Sequence, residues 1–541
     1  MRKHADFGMV LNHNNECGVK QKMSKSEQRN DGEQASVRVG SELDWNQIDW
    51  RQVQETVTRL QARIVKAQQE GRYGKVKSLT RILTRSFAAK AMAVKKVTTN
   101  KGNHTPGVDG TVWRSAESKT QAILELQQDG YRAKPLRRKY IPKAGSNKMR
   151  PLGIPTMKDR AMQAIHATAL LPIAETTGDR NSYGFRPYRS CQDAIDQIRI
   201  LMRPANRPQW VLEGDIKGCF DNISHDWILN NIPMEKRILR QWLKCGYMEN
   251  DCKYFNEAGT PQGGIISPVI ANMVLDGFET MLNIKYRHKC HNSKTGKVYW
   301  RPPAKDSKQI HFIRYADDFI ITGNSKEVLE NEVKPMVKTF LAERGLELSD
   351  EKTVITPVNE GFDFLGFNIR TFNEMLLVTP AEKRVKRLKS KINETITLMH
   401  GESALAVIEK LNPIIRGWTN YYRFVNSSKT FSDITHYTWE HIWEWAKRRH
   451  PRKSMGWIKQ KYFTRIGNRD WRFFARREDG TMATLTEAMD CKIIRHIKIK
   501  SENNPFDQQD RDYFANRRLN GVIAKPKTLQ NELDAEESVS Y

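Results

Sequence analysis

The chain has no run of 18 apolar residues, so no segment reads as a membrane-spanning helix. No apolar stretch follows Met1-Arg2-Lys3-His4-Ala5-Asp6, which argues against a secretory signal. Cysteine is sparse: seven residues, at 17, 191, 219, 245, 252, 290 and 491, none in a Cys-X-X-Cys pair. That spacing speaks against a zinc knuckle or a disulfide framework and fits a reducing compartment. Residues 1–40 have almost no large apolar groups and read as a disordered leader. Acidic residues fall short of basic ones, 62 against 90, leaving a formal charge of +28 over 541 residues. Hydrophobic residues still make up 38%, enough for a packed core, and the length suggests three or four structural units.

Folding does not require 28 surplus positive charges, and they repel one another. Their use is a polyanion. Nucleic acid leads, because each neutralised phosphate releases condensed counterions. An anionic membrane surface is the weaker reading, since no long basic amphipathic helix stands free of core duties.

Order is expected to begin at Leu43-Asp44-Trp45. Val53, Val57, Leu60, Ile64 and Ala67 follow at helical spacing, and Gly71 interrupts them. A second helix is expected from Lys75 to about Val94, with Val76, Leu79, Ile82, Leu83 and Phe87 inward. Its other face carries Lys75, Arg81 and Arg85, ordinary for a solvated helix but suited to RNA in so basic a chain. Residues 116–375 alternate short β-like runs with helical ones and read as α+β. A helix resumes at Glu382. Another spans Ala404 to Leu411, with Asn412-Pro413 as its stop. Residues 381–480 hold 22 Lys/Arg, 10 Asp/Glu and six of the 13 Trp, a helical, basic, aromatic-rich module. The stretch 531–541 is acidic and reads as an unstructured tail.

Two stretches carry chemistry. The β-prone run Trp210-Val211-Leu212-Glu213-Gly214 ends at Asp215. Far downstream, His311-Phe312-Ile313-Arg314-Tyr315-Ala316-Asp317-Asp318-Phe319-Ile320-Ile321 reads as a β-hairpin with paired acids at its turn. Adjacent carboxylates between hydrophobic strands repel and are costly to bury. A divalent cation resolves that cost, and Mg²⁺ prefers one or two carboxylates plus substrate phosphates.

The tetrad Tyr315-Ala316-Asp317-Asp318, with Asp215 upstream, resembles the palm of reverse transcriptases. The resemblance implies a right-hand polymerase with fingers and palm, in which Asp215, Asp317 and Asp318 are the catalytic aspartates. It implies two Mg²⁺ ions held by Asp215 and Asp317, with Ile216 in the ligand set. Lys139-Tyr140-Ile141-Pro142-Lys143 and Arg150-Pro151-Leu152-Gly153-Ile154-Pro155 look like the fingers motifs of group II intron reverse transcriptases. There Lys143 and Arg150 would meet the triphosphate of an incoming dNTP. Asn181-Ser182-Tyr183-Gly184-Phe185-Arg186-Pro187 matches the next motif. Phe220 would exclude a ribose 2′-OH, Gln262 of Gly259-Thr260-Pro261-Gln262-Gly263-Gly264 would contact the nucleotide, and Lys352 would lie near the leaving pyrophosphate. Phe362-Asp363-Phe364-Leu365-Gly366-Phe367 resembles the primer-gripping hairpin.

Thr105-Pro106-Gly107-Val108-Asp109-Gly110 and Leu411-Asn412-Pro413-Ile414-Ile415-Arg416-Gly417-Trp418-Thr419-Asn420-Tyr421-Tyr422 narrow the resemblance to group II intron maturases. The expected domains are a 41–115 N-terminal extension that binds RNA and 116–375 fingers and palm. A 376–480 helical thumb/maturase domain, a small 481–520 candidate DNA-binding segment and a 521–541 acidic tail follow. Arg416, Tyr421, Lys447, Arg448, Arg449 and Lys453 would contact RNA, cations on phosphates and rings on bases. After Arg518 the remaining residues lack Cys and His, so the His-Asn-His nuclease of many relatives is not expected. The partners implied are group II intron RNA as a ribonucleoprotein, target DNA, a primer and dNTPs, without a membrane, in a bacterial cytoplasm. A splicing-only maturase and a polymerase recruited to phage defence are the rival readings. The intact acid triad opposes the first and the maturase-like segment the second.

Overall fold

A computed structural model describes residues 43–142, 149–203, 207–255, 257–261, 263–291, 298–303 and 307–519. The leader, the acidic tail, Lys143 and Gln262 therefore lie outside the described residues. Among those described, no helix is long and apolar enough to cross a membrane.

The first helix, Trp50–Gln69, buries Val53, Val57, Leu60, Ile64 and Ala67 as their spacing predicts. Asp49 caps it by accepting from the Arg51 and Gln52 amides at 3.0 Å. The expected second helix is instead two, Tyr73–Arg85 and Phe87–Thr99. Ser86 makes the break. Its extended backbone (φ −69°, ψ 145°) ends one helix, and its hydroxyl accepts from the Ala89 amide at 3.1 Å to start the next. Val76, Leu79 and Leu83 make the buried face of Tyr73–Arg85, and Ile82 lies off it and is exposed, against expectation.

These helices pack on the long buried helix Met157–Thr177, which Gln61 joins by donating to the Thr168 carbonyl at 2.8 Å. Inside that helix His166 is 4% exposed, with its ring edge-on to Trp242 at 5.4 Å. Burial pushes its pKa down to about 4. A neutral histidine held this way contributes stability in full above pH 6.5 and loses it as pH falls toward 4.

Strands Leu136–Pro142 and Met149–Ile154 form the fingers hairpin, paired through Pro142↔Met149. The central sheet is antiparallel, ordered Val354–Pro357, Trp210–Gly214, Asp318–Gly323, His311–Tyr315. Its inward residues Val211, Ile313 and Ile320 share one apolar core with thumb residues Ile392, Leu411, Phe431 and Trp445. Strands Phe362–Phe364 and Phe367–Phe372 make the expected hairpin around Leu365 (φ 51°) and Gly366 (φ 80°).

The thumb is helical: Glu382–Leu398, Ala404–Tyr422, Ser428–Arg449 and Met455–Tyr462. Pro413 does not stop the second of these. A mid-helix proline forfeits one backbone bond. Here Asn412 holds the helix at that level, donating to the Thr484 carbonyl at 3.0 Å and accepting from the Thr486 amide at 2.7 Å. Ile415, Thr419 and Tyr422 continue the buried face. Those partners border a small antiparallel sheet, Phe463–Ile466, Arg469–Arg476 and Met482–Thr484, which the helical reading of this region missed.

The chain after this sheet returns to the palm as a strap. Asp193, fully buried, accepts on one carboxylate oxygen from His496 Nε2 (2.9 Å), the Ile499 amide (2.7 Å) and Arg517 (3.1 Å). Its other oxygen completes a capping box with Ser190. Arg189 reaches the Ser501 carbonyl at 2.9 Å and Asn504 reaches Thr176 at 3.0 Å.

Asp193→Ala strands a buried guanidinium and is expected to cost about 3–5 kcal/mol in urea melts; an unchanged midpoint contradicts the strap. Thermal melts should fall between pH 6.5 and 4, and His166→Leu should flatten part of that fall. Parallel wild-type and variant slopes would remove the histidine's role.

Candidate active site

The antiparallel register builds the site. Trp210 pairs with Gly323 and Gly214 with Phe319, so the next step sets Asp215 opposite Asp318. Directly opposed side chains on one face stand about 4.5–5.5 Å apart at Cβ. On the other side Tyr315 pairs with Asp318, leaving Ala316 and Asp317 as a two-residue turn. Ala316 is left-handed (φ 57°), the conformation such a turn asks of its first residue. For a non-glycine residue this costs about 1–3 kcal/mol and persists only where the surroundings dictate it.

The three carboxylates thus converge, and the electrostatics agree. Burial, and then repulsion from Asp215, raise the pKa of Asp317, while Arg150 and Arg314 pull it back. Asp318 is exposed, yet desolvation by the protein around its carboxyl, reinforced by Asp317 and Asp215, pushes it up to about 7. Lys352 places its ammonium 2.9 Å from Asp215.

Among the described residues no group of three or more His, Cys, Asp or Glu side chains is placed to hold a metal ion. An open Mg²⁺ site needs none, since water and substrate phosphates fill the remainder. The donors fit such an ion: hard oxygens, mutually repelling, one of them already drawing a cation. Ile216 fits as well. Its bridge to Leu348 is flanked by Lys217 N to Glu347 O (2.9 Å) and Ser349 N to Asp215 O (2.8 Å). In that antiparallel pattern the Ile216 carbonyl points away from Leu348, toward the hairpin side.

The nucleotide residues are partly placed. Arg150 lies on the fingers strand within electrostatic reach of Asp317. Phe220 sits on the short helix Cys219–Asn222, and its carbonyl accepts from the Thr260 amide at 2.6 Å. Phe185 meets the Phe220 ring edge-on at 6.4 Å. Beside the expected Gln262 position, Gly263 (φ 106°) passes the Gly153 carbonyl so closely that a Cβ would stand 2.8 Å from its oxygen.

The expected RNA contacts divide. Lys75, Arg81, Arg448 and Lys453 are exposed. Arg85 is bidentate to Asp129 at 3.2 and 3.3 Å, and Lys447 pairs with Glu444. Arg416 donates to Thr486 at 2.9 Å. Arg449 binds the carbonyls of His400 (2.8 Å) and Glu402 (2.6 Å), just past the end of the first thumb helix. Tyr421 donates its hydroxyl to the Leu365 carbonyl at 2.9 Å and stacks on Phe367 at 5.2 Å. In this structure Tyr421 and Arg449 join parts of the protein, where the sequence suggested contacts to RNA. Their surroundings come from distant segments that local pattern does not reveal.

The sequence reading assigned no role to Arg314, to Asn272 on the helix that follows Ser267-Pro268, or to Asp276. Arg314 is fully buried in the strand that leads into the turn, a guanidinium among apolar neighbours. A charge inside the run Phe-Ile-Arg-Tyr was the available signal, because such a group stays buried only when paired.

This architecture and acid cluster define the reverse transcriptase class. Residues 141–369 match the family model described as "Reverse transcriptase (RNA-dependent DNA polymerase)". Residues 45–126 match "N-terminal domain of reverse transcriptase", and residues 385–463 match "Group II intron, maturase-specific domain". Protein YkfC of Escherichia coli is 30% identical over 345 residues, covering 57% of this chain and 88% of that protein. The group II intron-encoded protein LtrA of Lactococcus lactis subsp. cremoris is 32% identical over 356 residues. That match covers 57% of this chain and 59% of LtrA's length. The chain belongs to the family of group II intron-encoded reverse transcriptases and maturases. The structure of telomerase from Candida albicans matches only distantly, at 14% identity and TM-score 0.34 over 61% of this chain and 62% of that one.

A Cβ on Gly184 would lie 2.3 Å from the Ala316 amide nitrogen, so Gly184→Ala must displace the aspartate turn. Expected is a loss of at least about 100-fold in kcat, in line with a displacement near 1 Å at reacting groups. Steady-state extension assays check it, and a wild-type rate in Gly184→Ala would mean the turn tolerates movement.

Proposed function

We propose that the chain is an RNA-directed DNA polymerase and maturase of a group II intron. It would bind intron RNA to promote splicing, then copy that RNA into DNA during insertion at a target site. The observation that carries the catalytic half is the register that brings Asp215 opposite Asp318 with Asp317 on the turn between. Two Mg²⁺ ions held by Asp215, Ile216 and Asp317 would activate a primer 3′-OH and steady the departing pyrophosphate. Arg150 and Lys143 would orient the dNTP phosphates, with Gln262 beside the nucleotide. Phe220, braced by Phe185, would turn away a 2′-hydroxyl. Lys352 would exchange its bond to Asp215 for the leaving phosphate and serve as proton donor.

The maturase half rests on the family match at residues 385–463 and on the basic surface. Exposed Lys75, Arg81, Arg448 and Lys453 supply phosphate contacts, whose strength falls steeply with salt. Of Arg495, His496, Lys498 and Lys500 in residues 481–520, exposed Arg495 and Lys500 would add contacts to target DNA, while His496 bonds Asp193 and Lys498 bonds the Ile499 carbonyl and Ser501.

Primer extension on an RNA template tests the reading. Wild type should extend with dNTPs and Mg²⁺, and Asp317→Ala should fall to background. Equal extension by both would remove the enzyme, while RNA copurifying without enrichment of any intron sequence would remove the maturase.

A further inference from the structure

We propose that Arg314 is a positioning residue for this polymerase: its buried guanidinium fixes the Asp317 turn and, through Asn272, ties that turn to the segment bearing Phe185. The inference rests on the polymerase reading above and adds a residue to it.

One guanidinium joins two elements, the helix Ser267–Leu275 with its C-terminal cap Asp276 and the Ala316 turn. From Nη1 it donates to the Asn272 side-chain oxygen at 3.0 Å and to the Ala316 carbonyl at 3.1 Å. From Nη2 it donates to Asp276 at 2.6 Å and to the Asn272 carbonyl at 3.4 Å. Asn272 in turn donates to the Gly184 carbonyl at 2.8 Å. The Arg314 backbone grips the same segment, accepting from the Tyr183 amide and donating to the Asn181 carbonyl, both at 2.9 Å. Arg314 is 0% and Asn272 5% exposed, so these bonds do not compete with water.

The geometry explains why a charge is buried here. Ala316 needs its left-handed backbone held, and the residue that follows it is a metal-binding aspartate. A planar fork can bind the Ala316 carbonyl, the Asn272 amide and the Asp276 carboxylate in one plane, and a point-charge ammonium cannot. Partners behind metal-binding residues commonly contribute about 10–100-fold to metal affinity or rate. The same clamp ties the aspartate turn to the backbone beside Phe185, whose ring braces Phe220.

Arg314→Lys keeps a cation beside Asp276 and loses the fork. In extension assays kcat should drop about 10–100-fold and half-saturating Mg²⁺ should rise about tenfold, with template–primer KM within about twofold. Mn²⁺ titration followed by electron paramagnetic resonance should show a similar loss of affinity without any turnover. If Arg314→Lys melts early, the neutral pair Arg314→Gln with Asp276→Asn is the second variant, with the same metal shift expected. A folded variant with wild-type Mg²⁺ dependence overturns the proposal, as does a rate loss without any metal shift. Should wild type extend no primer, the polymerase reading fails, and the Mn²⁺ comparison alone judges Arg314. Equal affinities, or no Mn²⁺ binding by wild type, overturn it there.

Discussion

Two strands running in opposite directions, in one fixed register, bring together acids that lie about a hundred positions apart. Slipping either strand by one residue would turn Asp215 to the other face and drive Phe319 out of the core. Gly214 prevents that slip, because a Cβ there would stand 2.1 Å from the Phe319 ring, so the ring finds room only opposite a glycine. The packing of Phe319 on Gly214 thereby also decides which carboxylates face one another. The electrostatic cost is local, in the raised pKa values of Asp317 and Asp318. A divalent cation held there, as proposed, would offset it.

The surroundings of that turn are polar where a core is usually apolar. Arg186 is bidentate to Glu175 at 2.8 and 2.9 Å, Arg314 binds Asp276, and Asp179 is pushed up to about 7 by burial and by Asp276. Buried ion pairs add little net stability but tolerate few alternative arrangements. That suits a layer that holds backbone atoms at fixed positions behind the acid-bearing turn. The thumb is joined to the palm more conventionally, through a shared apolar core and the Tyr421 bond to Leu365.

Much of this was legible from residue order. The acids announced themselves because each ends an apolar, β-prone run, and the Trp50–Gln69 helix because its period is regular. What escaped notice depends on partners far away in the chain. Ser86 is the exception, a local signal, its hydroxyl capping a new helix through the amide of Ala89 three positions on. Pro413 passes through a helix braced by Thr484 and Thr486, some 70 positions on. The small sheet after Tyr462 hides in a stretch whose aromatic content read as helical thumb. Arg314 left one clue, a charge among hydrophobes, whose meaning required Asn272 and Asp276 to be seen beside it.

The strap has a consequence for how the protein is made. Asp193 and Arg517 are separated by 324 residues. At synthesis rates of about 5–20 residues per second, roughly 16–65 s pass between their emergence from the ribosome. Throughout that interval a desolvation-prone acid waits behind a nascent palm for a guanidinium not yet translated. Chains broken off before residue 517 would leave Asp193 buried without its guanidinium and be natural clients for chaperones and proteases.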